Sequence, residues 1–174
     1  MTPEFQQKLI AMLSKHEGRV PWMYPDAVQN VTVGVGHMIP SANDAVLLGF
    51  IDGDESTVTE DEIMNGWNYV KASGKPYKTL ILPSDTIDSL LLKDIAIFYP
   101  VLIQTFSLFE SYPEPARLAL YDMVFNLGGF RKFPRFKSAV QDQNWTLAAQ
   151  ECNREGIGAS RNEDTKELLL QCAA

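Results

Sequence analysis

Three side chains near the start of the chain have the types and spacing for acid–base chemistry. Eight residues separate Glu17 from Asp26, and five more separate Asp26 from Thr32. Two carboxylates and a hydroxyl can converge on one cleft if a helix end, a turn and a strand carry them. Such a set can protonate a leaving group and direct a water, which is the chemistry of glycoside hydrolysis. After Thr32 comes a short alternating segment, Val33-Gly34-Val35-Gly36-His37.

The elements that must position this set follow from local pattern. From Pro3 to Lys15, Phe5, Leu9, Ile10, Met12 and Leu13 recur at helical spacing, with Thr2 and Pro3 as N-cap and first-turn pair. Gly18 should end that helix and leave Glu17 at its C-terminal edge, where the helix dipole disfavours a carboxylate anion. Prolines and alternating valines from Val20 to Gly36 indicate a small antiparallel sheet, with Gln29-Asn30 near its hairpin turn. A short helix is expected at 42–48. Thr59 and Glu62 form a capping box that opens a helix to Val70, and 72–82 reads as a turn plus an extended piece. A long helix should begin near Ser84, with Ile87, Leu90, Leu91, Ile95 and Phe98 on one face and a kink or new turn at Pro100. The run from Pro113 to Asn126 is apolar nearly all round, the mark of a buried helix, and Gly128-Gly129 should cap it. Three short helices are expected after it, over 130–140, 145–152 and 164–172.

The combination Glu17-Gly18, Tyr24-Pro25-Asp26 and Thr32-Val33-Gly34-Val35-Gly36-His37 resembles the active-site signature of phage-type lysozymes, glycoside hydrolase family 24. A second block, Ala116 to Gly128, is similar to the central buried helix of that family. The resemblance implies an α+β, mostly helical, lysozyme-like fold. A small lobe with β-hairpins, about 16–83, would be joined by a long helix to a helical lobe made of 84–174 and the N-terminal helix. It implies Glu17 as general acid, Asp26 as second carboxylate and Thr32 as a holder of the attacking water. Burial is expected to keep Glu17 protonated. Asn126 and Tyr24 would face substrate. His37 would pair with Asp94, Arg161 would reach the catalytic glutamate, and Gly34 and Gly36 would shape the strand beside the site. The activity implied is cleavage of the β-1,4 bond between N-acetylmuramic acid and N-acetylglucosamine in peptidoglycan, with no cofactor. A water held between the carboxylates would invert the anomeric carbon. The competing readings are a lysozyme fold kept as a non-catalytic wall-binding module, and a chitinase-like enzyme.

Composition narrows the setting. The chain has 174 residues, enough for one domain with a sizeable core. Its apolar fraction of 45% and charged fraction of 21% are those of a globular protein, and no run approaches the roughly 20 apolar residues of a membrane span. The N-terminus begins acidic and lacks a small-residue cleavage site, so no signal peptide is expected. A wall-degrading enzyme of that kind would reach the periplasm or wall by lysis, through a pore, or by injection. A net charge of -7 makes a nucleic-acid role improbable and gives no long-range steering toward an anionic wall. It suits a monomeric module brought to its substrate by a carrier or secretion machine, with an immunity or inhibitor protein guarding the producer. Two histidines are too few for a zinc site without carboxylate help, and no metal is expected. Gly34-x-Gly36 lacks the third glycine of a nucleotide fingerprint. Cys152 and Cys172 leave two readings open, a disulfide or two free thiols on neighbouring helices. Trp22, Tyr24 and Trp67 are candidates for stacking on sugars, and core packing explains them equally well.

Overall fold

The computed structural model describes residues 1–173. The chain is α+β and mostly helical, as the sequence pattern and the resemblance imply. It falls into two compact units. One is Leu13–Asp94, and the other joins Met1–Met12 to the residues from Ile95 onward.

The first unit carries the small sheet. The helix α1 spans Pro3–Glu17 and stops at Gly18, whose φ of 81° is left-handed, and the Gly18 N–H donates to Ser14 O at 3.1 Å. Strands β1 (Val20–Pro25), β2 (Val31–Gly34) and β3 (His37–Met38) form an antiparallel sheet in sequence order. Tyr24 stands opposite Thr32, and Val33 opposite His37. The β1–β2 turn is built without glycine, since Gln29 itself takes a φ of 64°. Helix α2 (Ala42–Val46) is capped by Ser41. Helix α3 (Glu60–Ser73) shows both halves of the Thr59–Glu62 capping box. The extended piece after it bridges to β1, with Tyr77 against Met23, while Ile81 bridges to Ile51. Met23, Val31, Val33, Ile39, Ile63, Leu82 and Ile87 are buried in this unit. Gly66 leaves room for that bridge, since a Cβ there would meet Tyr77 Cδ1 at 2.7 Å.

The expected long helix is α4, Ser84–Ala96. It ends before Phe98, and a separate helix α5 (Tyr99–Thr105) begins with Pro100 in its first turn. A proline lacks the N–H that would continue the helical ladder but is tolerated in a first turn, so the chain breaks and restarts.

The second unit is helical. A 3-10 turn at Phe109–Ser111 leads to α6 (Glu114–Leu127), followed by α7 (Pro134–Gln141), α8 (Trp145–Glu151) and α9 (Ala159–Leu170). Every residue of α6 from Leu118 to Val124 is buried, and Gly128 at φ 70° closes the helix. Aromatic rings fill the space around it. Phe106 meets Phe130 edge-on at 4.9 Å, Phe109 meets Tyr121 at 5.7 Å and Tyr112 meets Trp145 at 5.2 Å. The last helix starts at Ala159, five residues before the expected 164. Its buried positions are Arg161, Thr165 and Leu169, so its inner stripe is largely polar and invisible to a search for apolar periodicity. Both cysteines are free thiols; burial pushes each above its ordinary value.

Candidate active site

The Leu13–Asp94 unit gathers Glu17, Tyr24, Asp26, Thr32, His37 and Asp94. Asp26 follows β1 and closes the hairpin turn on itself. Its N–H donates to Asn30 O at 2.9 Å, and its carboxylate accepts three hydrogen bonds. Oδ1 takes the N–H groups of Val28 at 2.9 Å and Asn30 at 2.8 Å, and Oδ2 takes the Asn30 amide Nδ2 at 3.2 Å. The Asn30 N–H, the Val28 N–H, the Asn30 amide and the charge of Lys71 on α3 hold Asp26 below its ordinary 3.8, against a smaller opposing effect of desolvation. At neutral pH Asp26 is therefore an anion with fixed orientation.

Thr32 sits on β2 opposite Tyr24 and is buried. Its hydroxyl donates to Asn30 O at 3.3 Å. With its proton engaged there, Oγ1 has lone pairs to offer a donor. Tyr24 links the two carboxylates. Burial raises its phenol above the ordinary value, and the charges of Asp26 and then Glu17 add to the rise. Both acids therefore lie within electrostatic reach of one phenol.

Glu17 stands at the last position of α1, as expected, but it is exposed. The expectation that burial holds it protonated is corrected here.

His37 Nδ1 lies 2.9 Å from Asp94 Oδ2 and 3.2 Å from Oδ1, which is the pairing the resemblance implies. This contact ties β3 to α4, and it is a support for the sheet. Gly34 and Gly36 both adopt left-handed backbone, at φ 66° and 77°. Gly34 also packs close, because a Cβ there would stand 3.1 Å from Ile87 Cγ2. Of the other aromatics, Trp67 donates its indole N–H to Ile39 O at 3.0 Å, which makes it a strut between α3 and the sheet. Trp22 lies under the Lys78 amine, 4.8 Å from the ring centre.

The helical unit holds the remaining candidates. Asn126, at the end of α6, lines a pocket of about 690 Å³ with Gly128, Gly129, Arg131, Lys132 and Phe133. Arg161 is buried against Asp122, with Nε 3.0 Å and Nη2 2.8 Å from Oδ1. Asp122 also binds Arg154, 2.7 Å from Oδ2, and lies 3.0 Å from the Thr165 hydroxyl. Asp122, Arg154 and Thr165 were not singled out from the sequence. The signal was present, since Asp122 is a lone acid in the apolar run Ala-Leu-Tyr-Asp-Met-Val-Phe. A charge at the centre of an all-apolar helix requires buried partners of opposite sign.

Two comparisons follow from this geometry. No protein-family model matches the chain. Over 145 residues, 80% of this chain and 78% of the other, it is 27% identical to a protein named probable T4-type lysozyme 2 from Dictyostelium discoideum. This likeness supports a lysozyme-like family for the chain.

Proposed function

We propose that the chain is a glycoside hydrolase of the phage-type lysozyme kind. It would cleave the β-1,4 bond between N-acetylmuramic acid and N-acetylglucosamine in peptidoglycan. The observation that carries this reading is the Asp26 carboxylate, held ionised by three N–H donors beside the Thr32 hydroxyl, with Glu17 near enough for its charge to reach the same phenol. A relative named for lysozyme activity points the same way.

The roles follow from protonation and hydrogen-bond direction. Glu17 delivers its proton to the glycosidic oxygen as the bond to the anomeric carbon breaks. Asp26 takes a proton from water, whose oxygen forms the new bond at the opposite face of the sugar. Thr32 Oγ1, its own proton directed to Asn30 O, accepts the second water hydrogen and leaves a water lone pair aimed at carbon. Glu17 is exposed in the free protein, where a glycan can reach it. No cofactor enters this scheme.

The acidic balance, 22 acidic against 15 basic residues, favours delivery of the enzyme over electrostatic capture by the wall. The setting we favour is an antibacterial effector injected toward a rival's periplasm by a secretion machine, with an immunity protein in the producer. A phage endolysin released at lysis is the alternative. In either case the protein would act as a monomer.

The test is digestion of purified peptidoglycan by this protein and by Glu17→Gln, with borohydride-reduced products read by mass spectrometry. Reduced muramic-acid ends made by the unmutated protein alone are expected. Absence of new reducing ends from either would leave the wall-binding module standing. Cleavage of chitin, which has no muramic acid, with peptidoglycan left intact would favour the chitinase-like reading.

A further inference from the structure

We propose that Asn30 is a positioning residue that sets the Asp26 carboxylate and the Thr32 hydroxyl as one unit. The inference rests on the hydrolase reading above. Asn30 directs three of its polar groups into this corner. Its N–H binds Asp26 Oδ1 at 2.8 Å, and its amide binds Oδ2 at 3.2 Å. Its carbonyl accepts from the Asp26 N–H at 2.9 Å and from the Thr32 hydroxyl at 3.3 Å.

These bonds divide the labour between the two carboxylate oxygens. Oδ1 is occupied by two backbone N–H groups, those of Val28 and Asn30. Oδ2 receives only the side-chain amide among the described residues and keeps lone-pair capacity for a water. With Oδ1 held by the two backbone donors, the amide adds a hold at Oδ2 against rotation of the carboxylate, so the free lone pair keeps one direction. The carbonyl of the same residue takes the Thr32 proton, so Thr32 can only accept from that water. A single residue thereby decides which group takes each water hydrogen. The charged and titratable groups that face Asp26 are Lys71 from α3, Tyr24 from β1 and, through the same phenol, Glu17 at the end of α1. Among the side chains of the described residues, the Asn30 amide is the one that hydrogen-bonds the carboxylate.

A purely structural asparagine in a turn would make some of the same bonds, so the test must separate the two roles. Asn30→Ala removes the amide and keeps the backbone donors. Asn30→Asp keeps the shape and replaces the donor with a like charge. The release of reducing ends from peptidoglycan is followed from about pH 3 to 8 for each. In Asn30→Ala we expect kcat to fall roughly tenfold with KM changed less than about twofold, and the acid limb of the profile to move to higher pH. Asn30→Asp should move that limb further in the same direction. The carbon-13 titration of the Asp26 carboxyl, measured by NMR in the unmutated protein and in Asn30→Ala, reports the same shift without any turnover. If Asn30→Ala lowers thermal stability but keeps the unmutated pH profile and Asp26 titration, the positioning role is overturned. If the unmutated protein releases no reducing ends, the hydrolase reading fails, and the catalytic part of this inference fails with it. An unmoved Asp26 titration in an active Asn30→Ala enzyme sinks this inference alone.

Discussion

Asp122→Asn should be among the most destabilising single substitutions in the chain that leave side-chain volume unchanged. The carboxylate is fully buried on α6 and binds two buried guanidiniums, Arg154 at 2.7 Å and Arg161 at 2.8 Å. The amide keeps the shape and one acceptor oxygen, but it removes the negative charge and turns an N–H₂ toward one of the cations. Breaking a buried pair by removing one partner costs about 3–5 kcal/mol, because the other charge stays desolvated. A domain of this size loses about 2–4 °C of Tm per kcal/mol, so the expected fall is roughly 10 °C. Thermal melting followed by circular dichroism would measure that fall, and urea unfolding followed by tryptophan fluorescence the loss of free energy. Trp145 is buried on α8 in the same unit and should report the loss. The control is Glu163→Gln, which breaks the exposed Lys166–Glu163 pair and should change stability by less than about 0.5 kcal/mol. An Asp122→Asn protein within about 1 kcal/mol of the unmutated one would refute the argument that this cluster is dry and charge-compensated.

Further outcomes follow from two single positions. The Tyr121 hydroxyl is buried with no hydrogen-bond partner among the described residues, so Tyr121→Phe should be neutral or slightly stabilising at pH 7 by thermal melting. Burial pushes that phenol up to about 12 from 10.0, so its contribution is intact below pH 10 and is lost as pH rises toward 12; Tyr121→Phe should flatten alkaline unfolding in that window. Gly34→Ala should cost about 1–2 kcal/mol for its left-handed backbone alone, with a further loss if Ile87 cannot yield at 3.1 Å; calorimetry would show an unchanged Tm if the strand can rotate instead.

What the sequence disclosed and what it hid have different physical origins. The local elements that carry Glu17, Asp26 and Thr32 were legible because a short stretch of chain builds them: a helix end, one strand and one tight turn. The Thr59–Glu62 capping box was legible for the same reason, since both of its hydrogen bonds span three residues. Helix α9 was misplaced because its start depends on partners far along the chain. Arg161 and Thr165 occupy core positions where Asp122, 39 and 43 residues away, supplies a counter-charge and an acceptor. Apolar periodicity measures burial through hydrophobicity, and it is blind where burial is compensated by charge.

The exposure of Glu17 has a similar origin: local spacing places a carboxyl at a helix end, and its surroundings are assembled from elsewhere. Asp26 is the opposite case. Its donors come from residues two and four positions on, so its ionised state is written into the turn itself. A proton donor and a proton acceptor must differ in affinity for the same proton if one is to give while the other takes. Under the proposed roles, the low proton affinity of Asp26 is built locally by its turn and is present before substrate arrives. Substitutions in the β1–β2 turn should therefore act on this carboxylate in the free protein.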